Sequence, residues 1–156
     1  ANQKVILMLE EIKSKDNVES WLKERLLKKQ VVWGMGHREY STKDPRANIL
    51  TGMVKELFEE QSGKVSTMFE TAMALEKACE AELSKKGVYA NVDFYSGILY
   101  KEIGIPVDLF TTIFAISRSS GWLAHWIEQV GNNKIFRPTQ RYIGSKDRSY
   151  DEISSR

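Results

Sequence analysis

Cysteine, histidine and long apolar runs are scarce in this chain of 156 residues, which has one cysteine and two histidines. A single cysteine excludes an internal disulfide and a zinc cluster of several cysteines, so a reducing compartment, the cytoplasm, is expected. With so few soft ligands we expect no metal site. No apolar run reaches about 18 residues, which argues against a membrane span. The net charge of +2 gives no broad attraction for nucleic acid or a membrane surface.

Strand signals and nucleotide-binding motifs are also missing. The sequence has no Walker-type phosphate loop and no G-x-G-x-x-G. No convincing run alternates apolar and polar residues, and the short segment Val31–Trp33 is the only strand candidate. The fold class is therefore predicted to be all-α.

Apolar residues recur at helical spacing along most of the chain. They predict helices over about 1–14, 17–30, 45–61, 64–86, 91–103 and 108–131, followed by an extended or loop-like tail. Asn17 and Asp108 are expected caps, and Ser62-Gly63 an expected break. In the third helix, the residues expected to face inward are Ile49, Met53, Leu57 and Phe58.

Two details concern the first and fourth helices. The first helix begins without a capping residue at Ala1, which suggests that it continues a segment upstream. Cys79 lies on the apolar stripe of the fourth helix, where a small core residue is the simpler interpretation and a catalytic thiol the alternative.

The segment Val31–Arg46, VVWGMGHREYSTKDPR, concentrates chemically useful residues. Gly34 and Gly36 can adopt positive φ, allow close approach to the backbone, and place His37 on a bend. Asp44-Pro45-Arg46 is typical of a helix start. Arg46 opposes the helix dipole unless an anion binds there, so this segment offers an imidazole beside an anion site.

Asp93 allows two interpretations. An aspartate at this position is often a helix cap. Alternatively, Val92, Phe94 and Tyr95 could partly desolvate its carboxylate and raise its basicity, which would suit a general base.

The sixth predicted helix carries Arg118 among apolar and aromatic residues. A buried guanidinium needs an anionic partner, which is either a ligand or an internal Asp or Glu. His125 is interpreted as a packing residue between Trp122 and Trp126. Arg137 lies in the extended tail and could simply be solvated, although Arg46, Arg118, Arg137 and His37 together would suit a small di- or tricarboxylate.

Four segments of the sequence resemble motifs of a single protein family. GMGHREYSTKDPRA, NVDFYSG, FAISRSSGWLAHW and FRPTQRYIG resemble, in order, motifs of the citrate synthases, including 2-methylcitrate synthases. The resemblance implies condensation of acetyl-CoA or propionyl-CoA with oxaloacetate, giving citrate or 2-methylcitrate and coenzyme A. It implies coenzyme A as a co-substrate, no tightly bound cofactor, and a homodimer.

The resemblance also assigns roles to residues. His37 would polarise the oxaloacetate carbonyl, and Asp93 would remove a proton from the methyl group of acetyl-CoA. Arg46 and Arg118 would hold carboxylates, and Arg137 would do so across the dimer. The residues that would contact coenzyme A are Val31, Val32, Trp33, Gly34, Met35, Gly36 and Arg38.

The same resemblance places a further histidine in an H-G-G-A-N-x segment, whose end matches the start of this chain at Ala1-Asn2. We therefore expect a C-terminal part of such an enzyme, inactive by itself. Residues 1–107 would form the small domain, and residues 108–156 would belong to the large domain. The alternative function is a non-catalytic helical module that binds coenzyme A, a carboxylate or a partner protein.

Overall fold

The fold is built from α-helices. A computed structural model describes residues 1–61, 65–135, 137, 139, 141–146 and 152–155. Among these residues there is no strand, only an isolated antiparallel bridge between Met35 and Ala90, and the all-α prediction is confirmed. The α-helices are Asn2–Ile12 (α1), Val18–Leu27 (α2), Pro45–Gln61 (α3), Thr67–Leu83 (α4), Val92–Glu102 (α5) and Phe110–Gly131 (α6).

Two compact units make up the chain, Ala1–Arg118 and Ser119–Arg156. In the first, α5 packs against α1 and α3, and α4 packs against α1 and α2. Every residue of α5 from Phe94 to Leu99 is buried, which makes it the central helix. Aromatic rings fill the space around it, and the pair Phe69–Tyr95 meets edge to face with ring centroids 6.1 Å apart.

The second unit contains the end of α6 and the tail. Residues 132–135, 137, 139 and 141–146 form no helix or strand, as predicted, and a short 3₁₀ turn covers Ile153–Ser155. In the part of the chain that the structure describes, no helix is both long and apolar enough to cross a membrane. The predicted break at Ser62-Gly63 lies outside the described residues.

Of the two predicted caps, one is in position without a capping bond and the other is wrong. Asn17 occupies the N-cap position of α2, but its side chain makes no capping bond, and its Nδ2 donates instead to the Ile12 carbonyl at 2.9 Å. An amide can donate as well as accept, and the free carbonyls at the end of α1 compete for it. Asp108 lies inside a 3₁₀ turn, Val107–Leu109, that precedes α6. The cap of α4 is Ser66, whose Oγ accepts from the Phe69 N–H at 3.2 Å.

The inward face of α3 is only partly as predicted. Phe58 is buried and Leu57 partly so, but Ile49 and Met53 are 64% and 47% exposed. The helix turns a stripe containing Val54 and Phe58 toward the core. Apolar residues occur on both faces of α3, so hydrophobicity alone does not choose between them.

The apolar face of α6 is exposed. The exposed residues are Ile116, Trp122, Leu123, Trp126, Ile127 and Val130. The packing role predicted for His125 is wrong, because its side chain is 85% exposed and lies 3.7 Å from the Glu128 carboxylate. A helix that is apolar nearly all round is normally covered, but burial requires a partner surface as well as an apolar sequence.

The loop between α2 and α3 packs closely on α5 through Gly34. This residue has φ +81°, and a Cβ placed on it would lie 2.8–2.9 Å from atoms of Phe94. Its carbonyl accepts a hydrogen bond from the Asn91 N–H at 2.9 Å. Glycine is thus required at position 34 both by the backbone conformation and by the approach of the central helix.

A comparison of Gly34→Ala with Gly104→Ala should separate the cost of the backbone conformation from the cost of the close approach of α5. Gly104 has nearly the same φ, +83°, but open space around its Cβ position. We expect Gly104→Ala to cost about 1–2 kcal/mol from left-handed strain alone. Gly34→Ala should cost roughly 1–3 kcal/mol more from overpacking. Urea unfolding of both variants measures the difference, and equal losses would contradict a steric role for Phe94.

Candidate active site

Backbone hydrogen bonds bring the His37 loop beside the start of α5. The Gly36 N–H donates to the Tyr89 carbonyl at 2.7 Å, and Asn91 Nδ2 donates to the Gly36 carbonyl at 2.7 Å. Gly36 precedes His37, and Asn91 lies two residues before Asp93. His37 and Asp93, the two residues predicted to perform the chemistry, therefore lie on segments that are hydrogen-bonded to each other.

The buried residue Asp44 adds further hydrogen bonds to this junction of the His37 loop with the start of α5. Its Oδ1 accepts from the Arg46 N–H at 2.9 Å, and its Oδ2 accepts from the Val92 N–H at 3.2 Å. Its own N–H donates to the Ala90 carbonyl at 3.3 Å. One carboxylate thus satisfies N–H groups at the starts of both α3 and α5.

Arg46 forms a two-pronged ion pair with the same carboxylate. Its Nε and Nη2 lie 3.1 Å and 2.8 Å from the Asp44 oxygens. Hydrogen bonding to Arg46 holds the pKa of Asp44 below its ordinary value, although burial opposes this shift. The pKa of Arg46 is raised, first by Asp44 and to a lesser degree by the charges of Tyr40 and Asp93. Because Asp44 occupies the Nε–Nη2 edge, the Nη1 side of the guanidinium still offers donors for a second anion.

His37 is exposed, and its ring orientation is fixed locally. Its Nδ1 accepts from the N–H groups of Glu39 and Tyr40 at 3.0 Å and 3.4 Å. The Tyr40 ring stacks on the imidazole, with centroids 4.5 Å apart and an interplanar angle of 25°. With Nδ1 accepting, a neutral His37 carries its proton on Nε2 and presents that N–H as a donor.

Asp93 does not cap α5, so the capping interpretation was wrong. Asn91 is the cap, and its side-chain oxygen accepts from the Asp93 N–H at 2.9 Å. Among the described residues, the Asp93 carboxylate then has no hydrogen-bond partner, and the residue is half-buried in the first turn of α5. Its charge also contributes, after burial, to the raised pKa of Tyr100 on the same helix.

The three arginines predicted to bind carboxylates have different surroundings. Arg46 lies at the junction, but the burial predicted for Arg118 is wrong, because its side chain is exposed. Its guanidinium lies over the Phe114 ring at 5.7 Å, and that ring contacts Tyr100 of α5 edge to face. Arg137 is exposed in the second unit, in the stretch without regular structure.

The segment predicted to contact coenzyme A overlaps the junction, because Gly34 and Gly36 hydrogen-bond to residues 89–91. Val32 and Gly34 are buried, Trp33, Met35 and Gly36 are half-buried, and the remaining residues of the set, Val31 and Arg38, are exposed. The Lys4 ammonium lies 4.0 Å from the centre of the Trp33 ring. At Gly34, the close approach that glycine permits is made by Phe94, within the protein itself.

Cys79 and metal ligation add nothing to this site. Cys79 is buried on α4, and burial raises the pKa of its thiol to about 12, so it behaves as a small core residue. Among the described residues, no group of three or more His, Cys, Asp or Glu side chains is placed to hold a metal ion.

Sequence reasoning missed three residues beneath the junction. Lys43 forms an ion pair with the buried Glu76, to which the Tyr95 hydroxyl also donates. The available signal was a glutamate between Leu75 and Cys79 on an apolar helix face. Such a residue is normally solvated, so its position alone did not identify it.

Replacing Asp44 with asparagine should destabilise the chain by about 2 kcal/mol, because Arg46 loses its charged partner while remaining partly solvated. Because the pKa of Asp44 is lower in the folded chain, ionised Asp44 stabilises the fold at any pH above 3.8, its ordinary pKa. This contribution is lost as the pH falls from 3.8 through the lowered pKa. The stability gap between the two proteins should therefore close in acid.

Denaturant unfolding between pH 7 and pH 3 measures this gap, with Asp108→Asn as the exposed control. A gap that stayed constant down to pH 3 would contradict an ionised, paired Asp44.

Comparisons with known proteins identify the family of the chain. The family described as "Citrate synthase, C-terminal domain" matches residues 1–139. The citrate synthases of Acidithiobacillus ferridurans and Synechocystis sp. are 51% and 49% identical to the chain over 156 residues. Those matches cover 100% of this chain but only 40% and 39% of the relatives, so the chain spans about two fifths of their length.

Solved structures show the same fold. The citrate synthase of Thermotoga maritima superposes with a TM-score of 0.77 at 41% identity, covering 99% of this chain and 42% of the other. That of Thermoplasma acidophilum, solved as a ternary complex with carboxymethyl coenzyme A and oxaloacetate, gives 0.80 at 36% identity, with coverage of 99% and 42%. The family match over residues 1–139, together with the helical fold shared with solved citrate synthases, places this chain in the citrate synthase family.

Proposed function

We propose that this chain supplies the general base and the carbonyl-polarising residue of a citrate synthase reaction. The reaction joins acetyl-CoA or propionyl-CoA to oxaloacetate and yields citrate or 2-methylcitrate with release of coenzyme A. The observation that carries the proposal is the junction itself, in which Asn91 bonds the residue before His37 and caps the helix turn that holds Asp93.

Asp93 acts as the base. Its carboxylate takes a proton from the carbon next to the thioester carbonyl, and the electron pair of that C–H bond forms an enolate. Two features support this role: Asn91 takes over the capping of α5, and the residue is half-buried rather than fully solvated. A carboxylate is a weak base, so the enolate oxygen also needs a donor. The resemblance assigns that donor to a histidine outside this sequence.

His37 acts on the other substrate. Its Nε2–H donates to the oxaloacetate carbonyl oxygen, which makes the carbonyl carbon more electrophilic as negative charge moves onto that oxygen. The enolate carbon attacks that carbon to form the new C–C bond, the carbonyl π electrons move onto the oxygen, and this oxygen takes the Nε2 proton to become a hydroxyl group. Water then hydrolyses the thioester, which leaves a carboxylate and releases coenzyme A. The two backbone N–H groups on Nδ1 support this role, because they fix the tautomer that donates from Nε2.

The arginines orient the dicarboxylate. Arg46 binds one carboxylate through the side of its guanidinium that Asp44 leaves free. Arg118 binds another, and its exposure is consistent with a ligand, not an internal residue, as its anionic partner. The segment Val31–Gly36 and Arg38 contact coenzyme A.

The remaining proposals concern the whole enzyme. It acts as a homodimer, to which Arg137 contributes a carboxylate contact across the subunits. Residues 1–107 belong to the small domain and residues 108–156 to the large domain. The exposed apolar face of α6 supports that division, since a large domain would cover it. We assign the protein to the cytoplasm, where the single thiol stays reduced.

A chimaera tests the catalytic roles directly. The N-terminal part of the Acidithiobacillus ferridurans citrate synthase is joined to residues 1–156 in place of its matching segment, and coenzyme A release is measured with acetyl-CoA and with propionyl-CoA. Asp93→Asn should lower kcat by about 10²–10⁴-fold, because proton removal loses its base. Oxaloacetate binding should survive, which calorimetry would show.

The matched control is Asp108→Asn, an exposed aspartate outside the junction. It should leave kcat unchanged. Turnover by the Asp93→Asn chimaera at the parent rate would remove Asp93 from the mechanism, and loss of turnover in both variants would point to folding instead.

The 156-residue chain by itself should bind ligands without turning them over, since it spans about two fifths of its relatives' length. Millimolar coenzyme A should raise its melting temperature, and an assay for free thiol should detect no release from acetyl-CoA and oxaloacetate. Thiol release at the rate of the chimaera would show that the missing part is dispensable.

A further inference from the structure

A buried carboxylate under the junction takes no part in the proposed chemistry. Glu76, on α4, is only 8% exposed. Burying a carboxylate is costly unless it is paired and hydrogen-bonded. Its partners therefore indicate what the residue does.

Those partners come from the two segments that form the site. The Lys43 ammonium lies 2.7 Å from Glu76 Oε1, and the Tyr95 hydroxyl donates to Oε2. Lys43 directly precedes Asp44 at the end of the His37 loop, and Tyr95 lies two residues after Asp93 on α5. A single carboxylate on a third element thus contacts both sides of the junction.

The three groups are shielded from water to different degrees. Tyr95 is fully buried, and the Lys43 side chain is 27% exposed. Oε1 has no well-aligned hydrogen-bond donor among the described residues, so Lys43 is held mainly by charge. Burial, and then Glu76, raise the pKa of Tyr95, which keeps its hydroxyl protonated as a donor. Partial burial strengthens the charge attraction relative to an exposed pair.

We propose that Glu76 is a positioning residue, which holds the loop of residues 37–44 against α5 and so keeps His37 in register with Asp93. The ordering of the loop can be measured in this chain without substrates and without the rest of the enzyme. Its consequence for catalysis rests on the proposed function.

The alternative is that the pair only contributes stability, and two variants separate the possibilities. Lys43→Met leaves the Glu76 charge buried without its partner, which should lower the melting temperature and loosen the loop. The double variant Lys43→Met/Glu76→Gln removes that orphaned charge while keeping an acceptor for Tyr95. The melting temperature should then return toward that of the parent, but the ion-pair attraction that holds the loop is still absent.

The experiment uses the 156-residue chain and measures amide hydrogen exchange at Glu39 and Tyr40, whose N–H groups bond His37 Nδ1. Nitrogen chemical shifts of the His37 ring report its tautomer in the same samples. In both variants we expect exchange at these amides at least tenfold faster than in the parent, with ring shifts moving toward a tautomer mixture. Lys85→Met, at an exposed lysine, should change neither.

Parent-like exchange and ring shifts in the double variant, with recovered stability, would overturn the proposal, because the loop would then be ordered without the ion pair. If Lys43→Met fails to fold, the double variant decides the question by itself. Because these readouts need no substrate, a chimaera that fails to release coenzyme A would refute the proposed function and leave the positioning result standing.

Discussion

The arrangement of this chain depends on the buried carboxylate of Asp44. Two helices begin beside it, and each leaves backbone N–H groups that need an acceptor. Asp44 accepts from the first turns of both and carries Arg46 as its counter-ion. Without that counter-ion the carboxylate would be a costly buried charge. With it, the start of α3, the start of α5 and the loop before α3 form one structural unit.

Local chemistry made much of this predictable. Helical periodicity and glycine punctuation placed the helices, and the bounds predicted for α3 agree with the structure. Asp44-Pro45-Arg46 read correctly as a helix start, and Gly34 and Gly36 do adopt positive φ. The family was also recognised from four short segments, two of them in the elements that meet at the junction. These features depend on residues near one another in sequence, which is why they could be read without coordinates.

The errors share a different origin. Asn17, Ile49 and Arg118 were each assigned from their own helix, whereas their actual surroundings depend on what that helix contacts. Asn17 donates a hydrogen bond to the preceding helix, and Ile49 and Arg118 are exposed because no described neighbour in their unit covers them. The Lys43–Glu76–Tyr95 contacts were invisible for the same reason, since three elements distant in sequence must be assembled before the carboxylate has partners. Burial is a property of pairs of surfaces, and one sequence segment specifies only one of them.

The cross-bonding of residues 34–36 with 89–91 also affects how a ligand could enter. His37, Arg46 and Asp93 lie on segments that are connected by backbone and side-chain hydrogen bonds. In the proposed reaction, these segments would therefore move together as one body, and the spacing between the backbone positions of Asp93 and His37 would be the same before and after the substrates bind. A surface opposite these segments would then control the access of the substrates.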